Sequence, residues 1–394
     1  MQDKAGGGNT VLQNTGQSTT SVMSQKAVTD AIAELSKNGA NYLMVYGVGT
    51  PTENAAELQA VYNAAKNMPR YIGDIDSSSQ TLITVYKGQT FHDVGAGVYG
   101  ICVVDFIDSP SENIQYSDIT EIQAKSTKIT VIVAPGEYKF NINNSFTVDT
   151  NCVDIVSLTG NRDIKINGLK VSTANVLLKG FDAGEQKIQI INALDLTTVF
   201  DNCIGGVESF SVMDDNLGGT FINCECTASG FNAFNSFINE AARFINCKSV
   251  YNSFGYNALA VYGYFENCEA GDNSFASYLN SGLGLVHATF KNCKGGNYCF
   301  GSSAKIGANA IFDNCHTGDY GFGSCDGEYS SELLGGSFSH CSCKEAGFGV
   351  NAISNYGRFF YCKSNYGDIS SQMAVGDRVI FCIENDAEMV NINY

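Results

Sequence analysis

The chain has 394 residues and a formal net charge of −17, from 40 acidic and 23 basic side chains. That balance excludes the basic stripe a nucleic-acid groove needs, and no apolar run reaches the length of a membrane span, so neither nucleic acid nor membrane is expected as a partner. Glycine is abundant at 42 and proline scarce at 4, the last being Pro135; because proline cannot donate to a strand ladder, residues 137–394 read as backbone paired on both sides, as in a stacked solenoid.

The first 38 residues are rich in Thr, Ser and Gln and read as a flexible lead. Ser24 can cap a short helix running to about Lys37, with Val28, Ala31, Ile32 and Leu35 on one side. So short a helix is marginal alone and needs a surface to dock on. Nothing like the apolar core of a signal peptide follows Met1, so folding in a cytoplasm is expected. Thr50-Pro51-Thr52-Glu53 is a capping box with proline at the first helical position. It predicts a helix to about Asn67 whose apolar face is Leu58, Val61, Ala65 and Met68. Residues 70–125 hold two strand-like runs, 82–86 and 98–106, and read either as an inserted subdomain or as an early irregular coil. Beyond residue 130 the alternation of Ile164 with Ile166, Val176 with Leu178 and Ile188 with Ile190 predicts strands with one face inward.

A repeat then takes over. The phrase Phe-x-Asn-Cys recurs with its cysteine at 203, 224, 247, 268, 293 and 315, and decays at Cys341, Cys362 and Cys382. Successive intervals are 21, 23, 21, 25, 22, 26, 21 and 20 residues, a period that marks a solenoid. Seven residues after the cysteine stand Phe210, Phe231, Phe254, Phe275, Phe300, Phe322 and Phe348, then Ile369. Two residues after it the side chain is small (Gly205, Cys226, Ser249, Ala270, Gly295, Thr317, Cys343, Ser364), and one residue after it mostly polar. Each coil thus reads as inward Phe, turn at Asn, inward Cys, polar outward, small inward, turn, inward Phe. Asn suits the turn because it tolerates the left-handed conformation, and stacked Asn side chains can bond amide to amide between coils. At about 4.8 Å per coil the eight intervals span roughly 38 Å. The fold class expected is all-β: a right-handed parallel β-helix over residues 130–394, preceded by short N-terminal helices.

The 15 cysteines read as small buried hydrophobes in a narrow interior. In-register strands do not turn neighbouring thiols toward each other as a disulfide requires. No Cys-x-x-Cys pair and no zinc-type histidine arrangement is present among the 4 His, so no metal and no cofactor is expected.

Carboxylates can be placed on this frame. Four residues after the repeat cysteine come Asp272, Asn297, Asp319 and Glu345 on consecutive coils, flanked by Tyr251 and Tyr366. Asp319 and Glu345 fall about 5 Å apart at the backbone, and Asp272 and Asp319 roughly 10 Å. These bracket the separations of retaining and inverting glycosidase pairs, which makes Asp272, Asp319 and Glu345 weak catalytic candidates and the six residues together candidates for binding. The competing reading is a turn row, where Asp and Asn are favoured for backbone reasons. Asp214 and Asp215 form another acidic pair, with no stronger case.

Two resemblances bear on function. TVLQNTGQSTTSVMSQKAVTDAIAEL, residues 10–35, resembles a segment near the start of tail and fibre proteins of phages and prophages of gut Bacteroidota. The run Thr-Val-Ile-Val-Ala-Pro-Gly-Glu-Tyr at 130–138 resembles the opening coil of pectate-lyase-like β-helices, a superfamily that phage tailspikes use widely and in which a helix usually covers the end of the solenoid. The resemblances imply a virion-attachment or oligomerisation segment over 1–38, an end-covering helix and insert over 39–129, a homotrimer, contact with other virion proteins through 1–38, and location in the virion. The function they imply is a structural fibre or spike that meets a bacterial surface glycan. A polysaccharide depolymerase is the first alternative, although no Arg stands between the repeat cysteine and second-ladder residue as lyase chemistry would need. A bacterial surface adhesin is the second.

Overall fold

The structure is a computed structural model that describes residues 11–12, 22–23, 42–66, 70–76, 83–86, 90–95, 98–103, 110–114, 129–141, 145–151, 153–173, 176–191, 198–213, 215–277, 284–324, 335–349, 357–364, 378–380, 382–384, 387–389 and 392–393. The expected helix from Ser24, Met68 of the predicted helix face, Ile369 and Tyr366 lie outside them. The chain divides into two compact units, Met1–Val45 with Val61–Ile132, and Tyr46–Ala60 with Val133–Tyr394.

The smaller unit contains antiparallel strands. Arg70–Asp76 and Thr90–Gly95 both pair with Val98–Val103, and Ile83–Tyr86 pairs with Pro110–Ile114. A short parallel pair joins Val11–Leu12 to Val22–Met23.

The larger unit is a right-handed parallel β-helix with three strand faces. On the longest face the register pairs Phe200 with Phe221, Phe244, Phe265, Phe290, Phe312, Phe338 and Phe359 in succession. A second face begins with Gly136–Tyr138 and Ile164–Ile166 and runs on to Ser342–Glu345 and Lys363–Ser364. The third comprises Phe146–Val148, Leu169–Val171 and Ile188–Ile190 and continues, through the pairing of Gln189 with Ser211, into Val212–Met213 and Ala233–Phe234. A separate short ladder later in each coil joins Leu217 to Phe237–Ile238, Ala260–Val261, Leu285–Val286 and Lys305–Ile306. The early alternation holds: Ile164, Ile166, Val176, Leu178, Ile188 and Ile190 are all buried.

Two columns of phenylalanine fill the interior. Within a column the rings stack nearly parallel, as Phe244 on Phe265 at 4.7 Å and 9°. Between columns they meet edge to face, as Phe254 against Phe265 at 6.1 Å and 85°. Both geometries suit the ring quadrupole, so every ring is held on two sides by the same side-chain type. The repeat cysteines from Cys203 to Cys362 are free and buried, each thiol directed at backbone carbonyls, as Cys224 Sγ at Phe200 O and Ile222 O, both 3.4 Å.

The asparagine turn is as the sequence predicts. Asn202, Asn223, Asn246, Asn267, Asn292 and Asn314 all have φ between 53° and 56°. Their amides form a ladder: Asn246 Nδ2 donates to Asn223 Oδ1, Asn267 to Asn246, Asn292 to Asn267 and Asn314 to Asn292, at 2.9–3.1 Å. The upper end is closed by Arg162, which donates to Asn202 Oδ1 and to Asn223 O and pairs with Glu225 at 2.9 Å.

The helix spans Pro51–Lys66. Its capping box is present: Thr50 N donates to Glu53 Oε2 at 2.8 Å and Glu53 N to Thr50 Oγ1 at 3.4 Å. Its buried stripe is Ala55, Leu58, Tyr62 and Ala65, which corrects the expected face. The 3-4-3 spacing selects Tyr62, and Val61, one position round, falls on the flank. Asn54 Nδ2 donates to Glu137 O and Lys139 N to Pro51 O, tying the first turn to the opening strand of the second face.

The last strands reverse direction. Arg378–Ile380 pairs antiparallel with Ile392–Asn393, and Cys382–Glu384 with Ala387–Met389. Two faces of the parallel stack therefore end on antiparallel partners.

Candidate functional site

The candidate residues end or directly follow the strand that begins after each repeat cysteine, so the turn beyond that strand decides what they present. This turn repeats a strained backbone. The fifth residue after the cysteine has positive φ in every coil from Glu208 (57°) to Ala346 (50°), and so does the seventh, the second-column phenylalanine, with φ from 48° at Phe322 to 59° at Phe348. A phenylalanine in the left-handed region costs roughly 1–2 kcal/mol. Here the cost is offset by full burial of the ring and by a backbone bond to the coil above, as Phe254 N to Gly230 O at 3.2 Å. A turn so determined holds its outward side chains in fixed register.

Of the candidate residues, Asp272, Asn297, Asp319 and Glu345 are brought into one row. Asp272 Oδ1 accepts the Asn297 N–H at 2.6 Å, and Asn297 Oδ1 accepts the Asp319 N–H at 2.8 Å. Each side chain satisfies the backbone of its counterpart in the next coil. Room for them comes from glycine: a Cβ at Gly296 would collide with Asp272 Oδ1, and one at Gly318 with Asn297 Oδ1. At the next step the pattern changes. Lys344 occupies the glycine position, its Nζ lies 3.7 Å from Asp319 Oδ1, and that oxygen is buried without a hydrogen bond. Asp319 stands opposite Glu345 in the register, and Glu345 is exposed. Both end strands, His316–Asp319 and Ser342–Glu345, rather than sitting inside a turn.

Tyr251 lies in the same row and is 49 % exposed. Tyr366 and Asp214 fall outside the described residues, while Asp215 Oδ1 accepts from Asn216 N in a local turn.

One feature escaped the sequence reading. Tyr298 and Tyr320 follow Asn297 and Asp319 directly, and their rings stack at 5.1 Å and 3°. Both occupy the positive-φ position of the turn, each with φ 54°, and both are half-buried. Their separation of 22 residues equals the local coil interval, which was the available signal.

The row can do two kinds of chemistry. The tyrosine pair with the amide and carboxylates beside it offers apolar ring surface and hydrogen-bond partners to a polar, ring-bearing ligand. Asp319 and Glu345, on adjacent coils about 5 Å apart at the backbone, form the one pair here near the spacing of a retaining glycosidase. Among the described residues no group of three or more His, Cys, Asp or Glu is arranged to hold a metal ion, and no helix is long and apolar enough to cross a membrane.

In comparisons with known proteins the chain matches no family model, no curated protein and no solved structure.

Proposed function

We propose that this protein is a structural fibre or spike subunit of a bacteriophage virion, assembled as a homotrimer, that meets a bacterial surface glycan along the turn row described above. The attachment role of residues 1–38 toward other virion proteins rests on the phage-like phrase at residues 10–35. The observation that carries the glycan reading is the Tyr298–Tyr320 stack beside Asn297, Asp319 and Glu345, held by a turn whose backbone is fixed in every coil. A preordered aromatic and amide surface binds without the entropy cost of ordering it. The test is a glycan-array comparison of the full chain with a Tyr298→Ala/Tyr320→Ala double variant. Retention of a bound glycan by the parent and its loss by the variant supports the reading, and identical profiles refute it. Sedimentation showing a stable monomer refutes the trimer.

The depolymerase reading has one observation in its favour, the Asp319 oxygen that lacks a hydrogen bond opposite Glu345. It requires that glycan turnover be present and vanish in Asp319→Asn.

A further inference from the structure

A second surface lies away from the turn row, on the opening coils. Two open clefts of about 400 Å³ each meet there. The first is lined by Lys139, Lys165, Asn167 and Gln186, the second by Lys139, Lys170, Gln59 and Ser145. Lys139 belongs to both. The divide between them is rigid, because Asn167 clamps Phe140 from both sides: its Oδ1 accepts the Phe140 N–H at 2.7 Å and its Nδ2 donates to the Phe140 carbonyl at 2.8 Å.

Five lysines elsewhere on the solenoid are held in ion pairs, while Lys294, beside His316, forms none among the described residues. Lys179 pairs with Asp201, Lys187 with Glu208, Lys248 with Glu269, Lys291 with Glu266 and Lys344 with Asp319. Lys139, Lys165 and Lys170 form no ion pair among the described residues. Glu137 and Asp182 also line the first cleft and flank Lys165 in the register. One Asp182 oxygen is occupied by the Gly184 N–H at 2.8 Å. Counting these five side chains, the surface carries +1 (three lysines less two carboxylates) on a chain whose net charge is −17. Three ammonium groups left unpaired in a strongly acidic protein, converging on adjoining concavities, are the electrostatic footprint of an anionic ligand.

The residue types narrow the ligand. Arginine, whose planar fork matches a carboxylate, lines neither cleft. Lysine is a point charge that suits tetrahedral oxyanions. Between the lysines stand amides and hydroxyls, Gln59, Asn141, Ser145, Thr147 and Gln186, which suit the hydroxyls of a sugar chain. Two open clefts joined at one lysine fit an extended ligand with anionic groups at intervals better than a small enclosed one.

We propose that the opening coils hold a binding site for a sulfated or phosphorylated saccharide chain, with Lys139 at its centre and Lys165 and Lys170 on either side. This rests on the reading that the protein meets a glycan, but it uses residues separate from the tyrosine row.

The test is equilibrium binding of the full chain to three probes: chondroitin sulfate oligosaccharides, unsulfated chondroitin oligosaccharides of the same length, and a phosphomannan. Binding of the sulfated or the phosphorylated probe, weakening steeply with salt, is the expected result, and the probe preferred identifies the anion. A Lys139→Gln/Lys165→Gln/Lys170→Gln variant should lose at least about tenfold in affinity. The corresponding Lys→Arg variant should keep binding, and Lys248→Gln, remote from the clefts, should match the parent. Equal binding of the unsulfated probe, equal affinity of the triple Gln variant, or no binding of either charged probe overturns the proposal. The Tyr298→Ala/Tyr320→Ala variant separates the two sites: it should bind the charged probe like the parent even if the tyrosine row proves to bind nothing.

Discussion

Cys226 and Gly230 share one space: a Cβ added at Gly230 would collide with the Cys226 thiol of the same coil. The relationship recurs in either direction. Gly205 faces Ser209, and Gly295 faces Cys299, whereas Thr317 faces Gly321, and Cys343 faces Gly347. In these five coils the small space beside the second-column phenylalanine is filled from one side or the other, while Ser249 with Ser253 and Ala270 with Ser274 fill it from both sides with small groups. Gly230→Ala should therefore destabilise the protein by about 1–3 kcal/mol through overpacking. Adding Cys226→Gly should recover most of that loss, because the void is then filled from the other side. A double-mutant cycle in urea that shows simple additivity would contradict the shared-space account.

Phe254 tests the columns. It is fully buried, stacked on Phe231 and Phe275 at 4.8 and 4.9 Å, and edge-on to Phe244 and Phe265. Phe254→Ala should cost about 3–5 kcal/mol by cavity formation, measured by chemical denaturation. A loss below about 1 kcal/mol would mean that the neighbouring coils collapse into the gap.

Asn267 separates backbone from side-chain effects in the ladder. Its φ is 53°, and its amide both donates to Asn246 and accepts from Asn292. Asn267→Gly keeps the left-handed turn and loses only the exposed amide bonds. Asn267→Ala loses both and should be less stable than the Gly variant by about 1 kcal/mol in thermal or urea melts. Equal losses in the two variants would show that the amide ladder, rather than the turn, sets the requirement.

The buried thiols predict an alkaline limit. Burial pushes Cys226, Cys299 and Cys343 up to about 12 from an ordinary value of 9.0, and raises Cys203, Cys224 and Cys247 as well. In the unfolded chain these thiols lose their protons first, so the unfolded state binds fewer protons at high pH and stability falls as pH rises. The contribution is fully present below about pH 9 and erodes toward pH 12. Unfolding midpoints measured from pH 7 to 11 should decline above 9, and a variant with several of these cysteines changed to alanine should decline less. Eleven cysteines of the solenoid are free and buried, so a thiol reagent should reach almost none of them until denaturant is added.

Removing residues 1–38 should abolish incorporation into virions and leave the coils folded, since a solenoid coil depends mainly on its neighbours. Circular dichroism of the truncated chain and particle assays read the two halves separately. Truncated protein recovered on particles would refute the attachment role.

Much of this architecture was legible because its period is rigid. The Phe and Cys columns, the Asn turn and the outward polar row all sit at fixed offsets from one cysteine, and fixed offsets translate directly into side-chain direction. Backbone sign does not translate in that way. Nothing in a phenylalanine announces positive φ, so the left-handed state of Phe210 through Phe348 emerges only when the turn closes. The reciprocity of Cys226 with Gly230 was half visible, as a small residue two places after the cysteine. Its partner four places on carries no pattern by itself, since it varies among Gly, Ser and Cys. In the helix, Tyr62 rather than Val61 is buried, because a polar hydroxyl hid the ring from a hydrophobic count. The candidate site was legible as a row of Asp, Asn and Glu, but the bonds from Asp272 to Asn297 N and from Asn297 to Asp319 N depend on glycines one residue earlier, whose role is clear only in three dimensions.

The reversal at the end of the chain has a consequence for how such a molecule changes in evolution. A parallel stack has no natural length, because every coil offers the next the same edge. Here Ile392–Asn393 and Ala387–Met389 run against the stack, so on two faces a parallel strand has an antiparallel neighbour in place of another coil. Duplicating residues 224–246 would add one step of about 4.8 Å. The coil is the graduation of a ruler, and reach can be lengthened or shortened in whole marks.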